Sequence, residues 1–515
     1  NQALNNPDQE EKWTIDVYGS LHYDDLQDPS NSVHDDNFHF TREVYSRVIK
    51  PGERHAIVHV VLTTPGVTEV PIDEAKGDPW VGWTDLEEPN ITAQREIEIT
   101  KPSHLGWLSR AVNENLPSSF TPPTDPTFEG HTLKIKNNIN LGNVVWEPIG
   151  IDQNKCFAGN IDAENPTPEE GYPDSFLISG FNLTYTLEKP VSQQWVGLFA
   201  YVKSPKITNL RVEGNISIGT NSYSDNLQVG GIVGHVHSKT SFENCHWKGD
   251  ITVLAGTSSF IGGISGASGT NNSEYIECSS EIKNFVLRNS LTNNSAYGYA
   301  GGITGATSSS FVSINLKGCE FKKGSKITAN GSWRLGGIIG YMNGGSVKAC
   351  KNAADIMVSG INDQVGGIVG HVLDGSIIAC YNTGSITVDN GSTGANYPGV
   401  GGIVGAFQTG RILRACFSTG RIDPSREIER NAGNIVGNYT LTLAGTNYDF
   451  SKIKNNYHIG PFRAADTNEG LDIGDIEEFS PVNWPDPDVQ DGWGTGDGSD
   501  DNKLWHPYFP DSYGT

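Results

Sequence analysis

His55 and His59 stand four residues apart in "HAIVH", the spacing that puts two imidazoles on one helical face to bind zinc. The Glu that should follow the first His as general base is Ala56, and HExxH occurs nowhere in the chain. The surrounding "HAIVHVVL" also reads as strand, where the two rings would lie about 13 Å apart, too far for one ion. The spacing is coincidental. A second cluster, "DPDVQDGWGTGDGSDD" (486–501), gathers Asp486, Asp488, Asp491, Asp497, Asp500 and Asp501 among glycines. Flexible oxygen-rich loops suit calcium, but the spaced Asp and closing Glu of an EF-hand are missing. A solvated acidic loop is the simpler reading, with calcium as the alternative cofactor and no other expected.

Paired carboxylates would suit cleavage of polysaccharides, where acids on neighbouring strands flank one sugar. The best-aligned polar column runs Asp250, Glu281, Lys326, Asp355, Ser385 and Arg421. Its mixed signs suit solvated charges that partly neutralise one another. Asp250 and Glu281 remain the candidate catalytic pair. A parallel column of His235, Ala267, Ala306, Tyr341, His371 and Ala406 holds no catalytic set.

The elements that must position these groups are repeats. Gly-Gly pairs fall at 230/231, 262/263, 301/302, 336/337, 366/367 and 401/402, each followed by Ile, one variable residue and Gly. A period of this length means stacked supersecondary units. "GGIVG", "SIIACYN" and "SITVD" are short and β-branched, bounded by Gly, Asn or Asp, which is strand chemistry. Segments between them lack helical periodicity, so three short strands per unit predict one coil of a parallel β-helix. Cys245, Cys278, Cys319, Cys350, Cys380 and Cys416 occupy one repeat position, with Phe242, Tyr275, Leu316, Val347, Ile377 and Leu413 three residues earlier. Both columns are expected to face the interior, as free thiols that pack like small hydrophobes rather than as disulfides or metal ligands.

The Gly-Gly-Ile-Val-Gly start and Cys-Tyr-Asn-Thr-Gly end of residues 366–384 resemble the GLUG repeat, a motif of secreted and surface proteins of bacteria, gut Bacteroidetes among them. The resemblance covers about 196–460. "NNINLGNVVWEPIG" (137–150) looks like an entry segment, and "KLWHPYFP" (503–510) like a closing one. The resemblance implies an all-β fold, a right-handed parallel β-helix of GLUG-type coils in an adhesin-like protein, and it does not imply an enzyme.

Outside the array, "EITKPSHLGWLSRAVNENL" (98–116) predicts a helix with Leu105, Leu108 and Val112 on one face and Ser103 as N-cap. Such a helix would cover the open end of a β-helix, so the domain is placed at 98–465 with this cap included. "WTIDVYGSLHY" (13–23) and "RHAIVHVVLTTPG" (54–66) read as strands, so residues 1–97 are expected to form a small antiparallel β-sandwich, immunoglobulin-like or fimbrillin-like. Residues 466–515 are expected to form an acidic segment that closes the β-helix. The formal net charge of −24 disfavours nucleic acid, and no apolar run is long enough for a transmembrane segment. The expected partner is a host glycoprotein or polysaccharide, bound on loops such as 220–228, 289–299 and 389–398 or by aromatics such as Trp247, Trp333, Tyr341, Tyr381 and Phe417. The alternatives are a polysaccharide lyase or glycoside hydrolase, and a stalk without a ligand. An extracellular or outer-membrane-surface location is expected, with any signal or anchor segment outside these residues.

Overall fold

The computed structural model describes residues 11–23, 33–46, 79–165, 175–187, 194–220, 227–254, 259–269, 272–289, 298–307, 313–361, 364–392, 399–408, 412–424, 432–440, 453–454, 456–458 and 476–478. The chain divides into two compact units, Asn1–Glu69 and Val70–Thr515. In the first, strand β1 (Glu11–Tyr23) pairs antiparallel with β2 (Val33–Ser46), with a register shift between Gly19 and Leu21. The expected strand at 54–66, with His55 and His59, lies outside the described residues. So do the acidic loop at 486–501 and the segment at 503–510.

The second unit is a parallel β-solenoid with three faces. One coil illustrates the path. Leu227–Gly230 lies on face 1, Val233–Val236 and Ser241–Glu243 on face 2, and His246–Lys248 and Ile251–Leu254 on face 3. Each pairs in parallel with its counterpart one coil on, for example Val229 with Ile261, Phe242 with Tyr275, and Ile251 with Phe285. Among the described residues face 1 is an eight-stranded sheet. A Gly-rich sequence with little helix propensity thus satisfies its backbone polar groups between coils rather than within them.

The Gly-Gly-Ile-x-Gly block is a steric requirement at the bend from face 1 to face 2. A Cβ on Gly367 would lie 2.0 Å from Gly402 O and 2.4 Å from Asn382 Cγ, and one on Gly370 would lie 2.6 Å from Leu335 N. The two faces therefore approach through bare backbone. The corner into face 3 uses a single left-handed residue just before the cysteine: Asn244 (φ 51°), Glu277 (54°), Ala349 (49°), Ala379 (54°) and Ala415 (54°). That conformation costs L residues about 1–2 kcal/mol, and stacking of identical corners sustains it.

Cross-coil register places Phe242, Tyr275, Leu316, Val347, Ile377 and Leu413 in one column, all buried. The six array cysteines form a second buried column of free thiols. Each thiol is spent on a carbonyl, as where Cys380 Sγ donates to Val347 O at 3.4 Å. Burial pushes Cys245, Cys278, Cys350 and Cys416 well above the ordinary thiol range. The same loss of hydration acts on Cys319 and Cys380. Reactivity follows the exposed thiolate, so iodoacetamide is expected to label none of the six in the folded protein and all of them after unfolding. Labelling of the native column within minutes would refute the buried arrangement.

Beside the thiols, Asn352 and Asn382 form a buried amide ladder. Asn352 Nδ2 donates to Asn382 Oδ1 at 2.7 Å, and Asn382 Nδ2 donates to Gly384 O at 3.0 Å. Such fully satisfied polar rows fix register where a purely apolar core would allow slippage.

Helix α1 (Pro102–Val112) lies where the sequence places it, with Leu105, Leu108 and Val112 buried. The N-cap is Lys101, without a side-chain cap bond, and Ser103 is buried inside the first turn. The expected serine cap fails because Pro102 at the first helical position starts the helix two residues early. Trp107 contacts Phe128 (6.3 Å between ring centroids), Phe128 contacts Phe157 (6.4 Å), and Phe157 contacts Phe199 (5.6 Å). This chain of rings joins the helix to the solenoid core. Trp80 also packs on the helix at Gly106, so the segment from Trp80 belongs to this unit, and the boundary falls at 69/70 rather than 97/98.

Candidate functional site

Strand alternation on face 3 sends Val212, Trp247 and Ser280 inward, and the residues on either side outward. Two outward rows result. The first, one residue past the corner, runs Arg211, His246, Ser279, Glu320 and Lys351. The second, two residues later, runs Glu213, Lys248 and Glu281. Lys322 follows in the next coil, its N–H donating to Ser280 O at 2.9 Å. Opposite charges thus face one another between coils in the second row, and Lys351 pairs with Glu320 at 2.9 Å in the first.

Two depressions lie over these rows. One, of ≈ 320 Å³, is lined by Asn140, Asn143, Asn215, Asp250, Glu281 and Lys283 among others, over the backbone of Gly180, Gly214 and Gly249. The other, of ≈ 400 Å³, is lined by Arg211, Asn244, His246, Ser279 and Lys322 among others. Glu213, Lys248 and Glu281 line both, so the two adjoin as one groove. Its glycine floor has a steric cause: a Cβ on Gly249 would lie 1.6 Å from Gly214 O.

Asp250 and Glu281 both border the first depression, but register separates them. Ile251 pairs with Phe285, which puts Asp250 opposite Asn284, whereas Lys248 pairs with Glu281. The stretch from Cys278 to Phe285 is one residue longer than that from Cys245 to Ile251, and Glu281 lies three residues before Asn284, in the row of Lys248. The column therefore reads Asn215, Asp250, Asn284, Lys326, Asp355, Ser385 and Arg421. Asp250 is occupied within it. Asp250 N donates to Asn215 Oδ1 at 3.1 Å, and its carboxylate accepts from Asn284 N at 3.1 Å and Asn284 Nδ2 at 2.8 Å. Its role in the ladder is to cap the next coil.

His246 is the most constrained titratable group in the groove. Asn244 Nδ2 donates to Asn209 Oδ1 at 2.9 Å, which leaves Asn244 Oδ1 to accept from His246 Nε2–H at 2.7 Å. Nδ1 then carries the lone pair and accepts from Ser279 Oγ–H at 2.7 Å. Burial, then Lys322 and Arg211, push His246 down to about 4. A Ser–His–Asn chain suggests a nucleophile with its base. The imidazolium that base catalysis must form, however, is disfavoured here by burial and by two cations, and the chain acts as a neutral, oriented hydrogen-bond relay.

The aromatics singled out in the sequence are mostly packing. Trp247, Trp333, Tyr381 and Phe417 are buried, while Tyr341 is half-buried. Tyr341 lies in a seam between faces 1 and 2, with Arg334 over its ring at 4.9 Å. Phe260 and Tyr299 stack there at 4.9 Å, so their faces cover each other. In the same seam His235 Nδ1 bonds Gln228 Oε1 and His371 Nδ1 bonds Gln364 Oε1, each at 2.7 Å. The predicted binding loops fall largely outside the described residues. Among the described residues no group of three or more His, Cys, Asp or Glu is arranged to hold a metal ion, and no helix is long and apolar enough to cross a membrane.

The family described as the GLUG motif matches residues 362–387. That stretch is one coil, running from the face 1 strand Gln364–Gly366 to the start of the face 3 strand Ile386–Ser392. The chain thus carries a GLUG motif, and the other Gly-Gly-Ile-x-Gly copies stack on it in register. No curated protein and no solved structure matches the chain.

Proposed function

We propose that this chain is an adhesin-like binding protein whose solenoid presents the face 3 groove to a polysaccharide or the glycan of a glycoprotein. The observation that carries the reading is the continuity of the groove across successive coils, with Glu213, Lys248 and Glu281 common to both depressions. Coils repeat at about 4.8 Å, so amide, carboxylate and ammonium groups recur at a spacing that hydroxyl-rich chains can follow. Shallow polar grooves of this kind favour hydrogen-bonded, water-rich recognition over apolar ligands. An extracellular setting, on a cell surface or secreted, is part of the same reading. The lyase or hydrolase alternative has less support, because Asp250 is held by Asn284 and stands outside the Glu281 row.

The test is a glycan array with purified protein, with and without calcium, each hit then incubated and analysed for cleavage. Binding without products is expected. Glu281→Ala with Lys283→Ala should weaken the best hit by about tenfold, roughly 1.4 kcal/mol, with unchanged thermal stability. Released oligosaccharides would replace this reading with the enzyme. Binding that ignores both substitutions would move the site off face 3.

A further inference from the structure

We propose that Arg211, His246, Ser279 and Lys322 form a subsite for an anionic substituent, carboxylate or sulfate, of an acidic polysaccharide, and that filling it loads a proton onto His246. The inference rests on the groove reading above and names the ligand chemistry of one end of it.

The residues come from successive coils. Arg211 pairs with His246 and His246 with Ser279, and Lys322 enters from the coil beyond, so all four line the ≈ 400 Å³ depression. In a chain of net charge −24, a depression lined by Arg211, Lys248 and Lys322 against Glu213 and Glu281 carries a local excess of one positive charge. Lys322 forms no ion pair among the described residues. Arg211 is engaged by the carbonyl of Ser175 at 3.3 Å, and burial, its leading influence, lowers its pKa. A half-buried, partly desolvated guanidinium gains more from an anion than a solvated one does.

The relay explains the proton. With the subsite empty, Ser279 spends its O–H on His246 Nδ1, and His246 stays neutral between the two cations. An anion near Arg211 and Lys322 offsets their field and offers Ser279 a better acceptor. His246 then takes one proton from solvent at Nδ1, Nδ1–H donates to Ser279 Oγ, and the Ser279 O–H turns to the anion. No bond other than these hydrogen bonds changes. The other charged groups around the ring are already placed. Lys248 stands between Glu213 and Glu281, Glu320 is held by Lys351, and Glu243 by Lys206 at 2.7 Å. By reciprocity, anion binding that raises the affinity of His246 for a proton must itself strengthen as pH falls.

The experiment is titration calorimetry of the intact protein with oligogalacturonate, dextran sulfate, neutral dextran oligosaccharide and inorganic sulfate at fixed ionic strength. At least one acidic polymer should bind about tenfold or more tighter than neutral dextran, and the one that does identifies carboxylate or sulfate as the source. Arg211→Gln and Lys322→Gln should each lower that affinity by about tenfold and lower binding of a neutral array hit by far less. Affinity should rise several-fold from about pH 7 to about pH 5, and His246→Asn should abolish the rise. If His246→Asn does not fold, Ser279→Ala, which cuts the relay at a small side chain, should flatten the pH profile instead. Acidic and neutral polymers binding alike, or an affinity indifferent to Arg211→Gln and Lys322→Gln, would overturn the subsite and leave the groove reading standing. Absence of binding to every glycan would overturn both.

Discussion

Gly367→Ala is expected to destabilise the protein by roughly 3 kcal/mol or more, at the upper end of what overpacking does. The new methyl would meet Gly402 O at 2.0 Å and Asn382 at 2.4 Å. The first contact is backbone and cannot rotate away. Asn382 is no freer, since its amide closes the ladder to Asn352 and Gly384. In a solenoid the damage passes to both neighbouring coils, because each contributes only nearest-neighbour interfaces. Asp389→Asn, at an exposed position of the same coil, should stay within about 0.5 kcal/mol. Urea denaturation of both variants decides the matter, and a harmless Gly367→Ala would refute the backbone-contact account of the motif.

Acid should unfold the solenoid through its buried histidines. Burial is the leading cause that lowers His235 to about 4, His246 to about 4 and His371 to about 3. Unfolding returns each to the ordinary range near 6.5, so the unfolded chain binds more protons in between. Stability is therefore full above about pH 6.5 and falls as the pH drops toward about 4, with His235 alone responsible for on the order of 3 kcal/mol. His371→Tyr places there the residue that the preceding coil carries as Tyr341, keeping an O–H for Gln364. That variant should lose less stability than the parent between neutral pH and about pH 4.5. An equal loss in both would show that the acid response lies elsewhere.

The frame was more legible than the surface on it. Glycine and cysteine recur because backbone contact at the bend and a small apolar corner residue tolerate few replacements, and such constraints write themselves at fixed positions. The inward partners three residues before each cysteine were readable for the same reason. Helix α1 was found through Leu105, Leu108 and Val112, but its cap was not, since Pro102 sets the start without a side-chain bond. The groove was missed. Its register passes through a stretch where the Cys278 coil carries an additional residue, and only the hydrogen-bonded pairing of Lys248 with Glu281 resolves which acids align. A usable signal was present in the residue after each corner: Arg211, His246, Ser279, Glu320 and Lys351 are polar, while Tyr381 and Phe417 are aromatic. That change along one outward row marks the half of face 3 built for polar contacts. The aromatics offer less: strand alternation turns Trp247 and Trp333 inward, and Tyr381 and Phe417 stack on each other.

The most direct test of the central claim is carboxyl footprinting of the intact protein with and without a saturating glycan ligand. Carbodiimide labelling of Glu213 and Glu281 should fall in the complex, while Glu274, on face 2 of the same solenoid, should label equally in both states. Protection of Glu274 with Glu213 and Glu281 unchanged would contradict the account and place recognition on another face.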